Sequence, residues 1–143
     1  MFISVLFPYI CALILYFMKN ILFILICIIC SCSEGYSQNQ RLGVAEFDSK
    51  IRTLSNEQLV DVRTPEEYNA GHIPNAININ FNDPSFQSNI QKLDKKKPVL
   101  IYCAAGGRSA RALKILNELK FKEVFELSVG FNGWSQSGKP SIK

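Results

Sequence analysis

Cys103 heads the loop Cys103-Ala104-Ala105-Gly106-Gly107-Arg108. Just before it, Val99-Leu100-Ile101-Tyr102 is a continuous apolar run, which predicts a strand buried on both faces. After the loop, Ala112, Ile115, Leu116 and Leu119 recur at helical spacing. The thiol therefore sits between the carboxyl end of a strand and the start of a helix, where open α/β sheets bind ligands. Ala104, Ala105, Gly106 and Gly107 carry almost no side chain, so their backbone N–H groups can converge on one point. The free N–H groups of a helix beginning near Ser109 point to the same place. Such donors favour thiolate over thiol and form a cradle for an anion on the sulfur. Arg108 adds the loop's only full charge, and its fork can hold an oxyanion or brace the loop. A cysteine at a strand end is commonly packed and inert. Strand, small-residue loop, arginine and helix arriving together set this one apart.

The other cysteines lie elsewhere. Cys11, Cys27, Cys30 and Cys32 belong to an apolar N-terminal stretch, and Cys103 alone belongs to the polar remainder. A disulfide framework inside the domain is thereby excluded. One cysteine and one histidine, His72, also cannot fill a structural zinc site. Cys27-Ile28-Ile29-Cys30 has redox-motif spacing but lies in a hydrophobic run with no βαβ context. The formal charge of +4 is modest and does not point to nucleic acid. The run Lys95-Lys96-Lys97, just before Pro98, reads as a solvated loop.

The elements that must position Cys103 are readable in outline. Val44, Phe47 and Ile51 have helical spacing. Leu59-Val60-Asp61-Val62 is a short aliphatic strand. Thr64-Pro65-Glu66-Glu67 is a helix start, with Thr64 as N-cap, Pro65 in the first turn and Glu67 closing a capping box. Gly71 ends that helix. Ala76-Ile77-Asn78-Ile79 is a further strand. Asp83-Pro84 repeats the cap-then-proline signal before a helix carrying Phe86, Ile90 and Leu93. Val124 to Leu127 forms the last strand, and Gly130 to Trp134 opens a terminal turn or short helix. Strands alternating with helices argue for a mainly parallel α/β sheet with helices on both faces. About 105 residues are available for it, enough for one core.

These residues resemble the rhodanese family over about Gly43 to Pro140. Leu59-Val60-Asp61-Val62-Arg63 with Pro65-Glu66-Glu67-Tyr68 looks like its first block, and Gly71-His72-Ile73-Pro74-Asn75-Ala76 like its second. Ile101-Tyr102-Cys103 through Arg108-Ser109 looks like the active-site loop, and Gly130-Phe131 to Trp134 like the closing segment. The resemblance implies a rhodanese-like fold over residues 43–143 and a sulfurtransferase. Cys103 would take the outer sulfur of a donor such as thiosulfate or a persulfide and pass it to a thiol, a cyanide-like molecule or a partner protein. Cys103 and Arg108 would be catalytic, and Ala104, Ala105, Gly106, Gly107 and Ser109 would bind the anion. No metal or organic cofactor is implied. Related phosphatases place five residues between cysteine and arginine, whereas four stand here, so the smaller loop fits sulfur better than phosphate. A non-catalytic sulfur carrier or interaction module is the alternative from another class.

Asp61 and Arg63 fall beside this site. Asp61 could brace Arg108 or hold its own turn. His72 sits in a Gly-His-Ile-Pro turn, which suits a structural hydrogen bond better than a Cys-His peptidase. The family often has a second glycine where Val129 stands, so the backbone there is expected to differ.

The N-terminus carries a separate expectation. Ile21 to Cys30 is an apolar run too short to span a bilayer and suited to a signal peptide, with Lys19 as its charged flank. Met18 reads as a natural start. Ile29-Cys30-Ser31-Cys32 resembles a lipobox, which makes Cys32 the lipidation candidate. Cleavage after Ser37 is the second outcome. A retained anchor is the third, since a cation at mid-bilayer costs about 2.5–3.5 kcal/mol. Residues 1–32 are then signal or anchor and 33–42 a linker. The domain would be exported to a bacterial envelope or periplasm, attached to the membrane through this segment.

Overall fold

The computed structural model describes residue 18 and residues 38–143. The expected signal, anchor and lipidation site at Cys32 lie outside the described residues. Five strands are present: β1 (Gln38–Leu42), β2 (Gln58–Asp61), β3 (Ile77–Asn78), β4 (Val99–Tyr102) and β5 (Glu123–Leu127). The helices are α1 (Val44–Thr53), α2 (Pro65–Ala70), α3 (Phe86–Ile90), α4 (Gly107–Glu118) and α5 (Gly130–Gln136). The strands form one sheet in the order β1-β5-β4-β2-β3, and every pairing is parallel.

β4 is the middle strand, and all its residues are buried, as its unbroken apolar run requires. Alternation along the strands sends side chains to two separate cores. On one face Val60, Val99, Ile101 and Val124 pack with Phe86 and Ile90 of α3 and Ala112, Leu113 and Leu116 of α4. On the other, Leu59, Leu100, Tyr102, Phe125 and Leu127 pack with Phe47 of α1 and Trp134 of α5. Trp134 is thus a packing residue. Its ring stands edge-on to Phe47, and its indole N–H donates to the Pro140 carbonyl.

Three expectations change. The segment 33–42 is not linker throughout, because Gln38–Leu42 forms β1. It is an edge strand, paired on one side only with β5, so its polar composition is compatible with strand. The strand expected at residues 76–79 is reduced to the two residues of edge strand β3. Asp83-Pro84 does not cap a helix directly. The Asp83 carboxylate accepts from the backbone N–H and hydroxyl of Ser85, and α3 starts at Phe86 with Ser85 as N-cap. That is the local side-chain turn which competes with helix at such residues.

Candidate active site

The chain leaves β4 for β5 on one side, while β2 leads to β3 on the other. The carboxyl ends of β2 and β4 therefore flank the switch point of the sheet. Cys103 follows β4 directly there and is 1% exposed. Its loop is shaped from outside. The first turn of α5 donates to it, Phe131 N–H to the Cys103 carbonyl at 2.7 Å and Asn132 N–H to the Ala104 carbonyl at 3.0 Å. With those carbonyls turned toward α5, the following N–H groups face the sulfur. Gly106 N–H donates to Sγ at 3.1 Å, from a left-handed backbone with φ 87° that glycine adopts without strain.

α5 can approach this closely because Gly130 has φ +60° and no side chain. A β-carbon there would lie 2.5 Å from the Cys103 and Ala104 carbonyls. Val129 has φ −97° and ψ −2°, an ordinary conformation that needs no glycine. The left-handed residue is Gly130, so valine at 129 leaves the backbone course intact.

Burial pushes the Cys103 thiol pKa up. The Ser109 hydroxyl and the N–H groups of Ser109, Ala105 and Arg108 outweigh it, and the pKa is lowered. Hydrogen bonds to the charged form act in this direction, so the thiolate is favoured over that of an ordinary cysteine. The donors are the loop amides and the start of α4, and Ser109 Oγ lies 3.4 Å from Sγ.

The Arg108 guanidinium is held by a carboxylate of α2. Its two terminal nitrogens donate to the two carboxylate oxygens of Glu67, each at 2.7 Å. Glu67 Oε2 also accepts from Thr64 N–H at 3.0 Å, so the capping residue of α2 braces the loop. The Arg108 guanidinium holds the Glu67 carboxyl down to about 2, against the cost of its partial burial. Sequence reasoning saw Glu67 as a cap only.

Asp61 does not brace Arg108. Its carboxylate takes the Arg63 backbone N–H at 2.9 Å and grips the Arg63 guanidinium through Nε at 2.9 Å and Nη2 at 2.6 Å. Arg63 also donates to the Gly71 carbonyl, and its guanidinium carbon sits over the Phe131 ring, 4.2 Å from its centroid. Both residues are buried, and they tie β2 to the Gly71 turn and α5. His72 packs its ring on Tyr68 at 3.7 Å with Nδ1 3.1 Å from the Tyr68 carbonyl, a local structural contact.

Two further charges were missed. Glu126 of β5 is fully buried and accepts from Ser109 Oγ at 2.7 Å. Its other oxygen accepts from Arg41 Nε of β1 at 2.6 Å. An acid between Phe125 and Leu127, inside the apolar stretch that follows Val124, was the available signal, since a buried charge requires a partner. Arg41 lay in the segment read as linker and gave none.

A parallel α/β sheet with a cysteine at its switch point, its sulfur accepting from a backbone N–H of the loop that follows, defines a class of domain. The rhodanese-like domain family matches residues 43–137, and the chain belongs to that family. It is 40% identical over 76 residues to the thiosulfate sulfurtransferase GlpE of Coxiella burnetii, covering 53% of this chain and 69% of that protein. The crystal structure of a rhodanese-related protein from Thermoplasma volcanium matches with a TM-score of 0.64 at 27% identity, covering 72% of this chain and 97% of that one. A rhodanese-like domain protein from Staphylococcus aureus matches with a TM-score of 0.59 at 29% identity, covering 66% and 90%.

Proposed function

We propose that this domain is a sulfurtransferase in which Cys103 carries the sulfur as a persulfide, with thiosulfate as its model donor. The observation that carries the reading is geometric: Cys103 follows the central strand β4 and its Sγ accepts from the Gly106 N–H at 3.1 Å, and such donors lower the thiol pKa. The Cys103 thiolate attacks the outer sulfur of thiosulfate. A new S–S bond forms, the donor's S–S bond breaks, and its electron pair leaves on sulfite. The loop N–H groups hold the charge on the outer sulfur of the persulfide. An acceptor nucleophile then attacks that sulfur and the Cys103 thiolate leaves. Cyanide would give thiocyanate, and a thiolate would give a new persulfide. No proton transfer to a metal-bound group or organic cofactor enters these steps. Arg108, held by Glu67, stiffens the loop and keeps positive charge at its rim.

The experiment is intact-mass analysis after incubation with thiosulfate. The protein gains one sulfur atom, and Cys103→Ser loses both that gain and thiocyanate formation from cyanide. Turnover of a phosphate ester without sulfur uptake would overturn the reading in favour of a phosphatase.

The N-terminal segment supports a second element of the proposal, export with lipid attachment at Cys32. The apolar run ends directly at that cysteine. Mass spectrometry of the mature N-terminus from the native host distinguishes a lipidated Cys32 from cleavage before Gln38 and from a retained segment. Outside the cytoplasm, the acceptor would be an external molecule or a partner thiol, because Cys103 is the domain's only thiol.

A further inference from the structure

Glu126 occupies the face of β5 that α4 covers, the face on which Val124 joins the core. Arg41 is its register partner on β1 and extends from a half-exposed position to bond it. On the other side stands Ser109, whose Oγ is 2.7 Å from Glu126 Oε1 and 3.4 Å from Cys103 Sγ. A serine hydroxyl has one proton and cannot donate to both. The shorter contact, to a carboxyl group also held by Arg41, is the stronger. Ser109 therefore donates to Glu126 while Cys103 is a thiol, and offers the S–H a lone pair. When the sulfur becomes an anion, the hydroxyl must turn toward it, leaving Glu126 to Arg41.

We propose that Glu126, set by Arg41, is a positioning residue that governs the protonation of Cys103 by directing the Ser109 hydroxyl. Arg41 draws the carboxylate charge to itself and eases the turn of the hydroxyl. Glu126 opposes that turn. The other charges around Cys103 are already paired, Arg108 of α4 with Glu67 of α2, and Arg63 with Asp61 at the end of β2. Among the described residues, the Arg41–Glu126 pair is the one connected to the sulfur through a hydroxyl that can turn.

The inference rests on Cys103 being the nucleophile, but its test needs no sulfur transfer. The pH profile of iodoacetamide alkylation is read on the Cys103 peptide by mass spectrometry of the full chain. In Glu126→Gln the amide must present its oxygen to Arg41, an obligate donor, and its NH2 to Ser109. The Ser109 O–H is then left to donate its hydrogen bond to the sulfur. The inflection moves down by about 1 pH unit, and the shift shrinks when Ser109→Ala is added. Arg41→Met, on the exposed edge strand, moves the inflection up. An unchanged or raised inflection in folded Glu126→Gln overturns the proposal, as does a shift that survives Ser109→Ala undiminished. Should Glu126→Gln not fold, Arg41→Met decides by its direction alone: an upward shift upholds the proposal and any other result overturns it. The expected shifts in the alkylation profiles, found together with no sulfur uptake, would sink the transferase reading and leave this one standing.

Discussion

Glu67 and Arg108 meet in a two-bonded fork that joins the first turn of α2 to the cysteine loop, with one Glu67 oxygen also closing the α2 cap. The loop and the helix cap therefore share one carboxylate. Glu67→Gln keeps an acceptor for the cap but loses the charge and one acceptor in the fork. Both side chains are partly exposed, so solvent screening holds the expected stability loss to about 1 kcal/mol at neutral pH. The sign of the pH effect follows from the lowered pKa. Glu67 titrates at about 2 in the folded chain against 4.5 ordinarily, so its contribution is complete above 4.5 and fades as pH falls toward 2. Urea unfolding curves of wild type and Glu67→Gln should converge across that interval, and parallel curves would count against the fork.

Gly130→Ala should cost about 2–4 kcal/mol, combining a left-handed backbone with overlap onto the cysteine loop. The displaced Cys103 and Ala104 carbonyls should also disturb the amide cradle. Thermal melting reports the first effect, and persulfide mass gain per folded molecule reports the second. A variant of unchanged stability and uptake would mean that α5 does not set the loop.

Gly133→Ala should be destabilising for a different reason. Its β-carbon would fall onto Val129 Cγ2 and lie 2.7 Å from Val129 Cβ, an overlap costing about 1–3 kcal/mol. Val129 is exposed, so Val129→Gly should restore most of the loss. A double-mutant cycle by urea denaturation measures the coupling. Additive effects would show that the two positions do not meet.

Asp61→Asn should cost about 3–5 kcal/mol, because it leaves the Arg63 guanidinium buried without its countercharge. Sulfur uptake per folded molecule should stay close to wild type, since Asp61 grips Arg63 and not Arg108. Unfolding and intact-mass measurements on the same preparation separate the two readouts. A large fall in uptake with full folding would return Asp61 to the site.

Much of this was legible in the chain because it depended on neighbours in sequence. Thr64, Pro65 and Glu67 start α2 where their spacing says, and the apolar run 99–102 is the central strand. Asp83 looked identical as a cap signal, but its carboxylate was satisfied by Ser85 two residues on. β1 was hidden for a related reason, since a polar edge strand leaves no apolar pattern. The pairs that shape the site escaped because they join distant segments. Arg41 and Glu126 are 85 residues apart, and Arg108 and Glu67 are 41 apart. Nothing local in either member specifies its partner.

The first turn of α5 has a bearing on how the chain is made. The N–H groups bonded to the Cys103 and Ala104 carbonyls belong to Phe131 and Asn132, synthesised well after the cysteine itself. During translation Cys103 emerges on an apolar strand with neither the amide cradle nor the Glu126 network assembled. Two of the bonds that fix the loop form only once residues 131 and 132 have joined the fold. A chain ending before α5 would keep Cys103 and Ser109 and still lack both bonds to the loop carbonyls, so a segment with no nucleophile of its own completes the shape of the site.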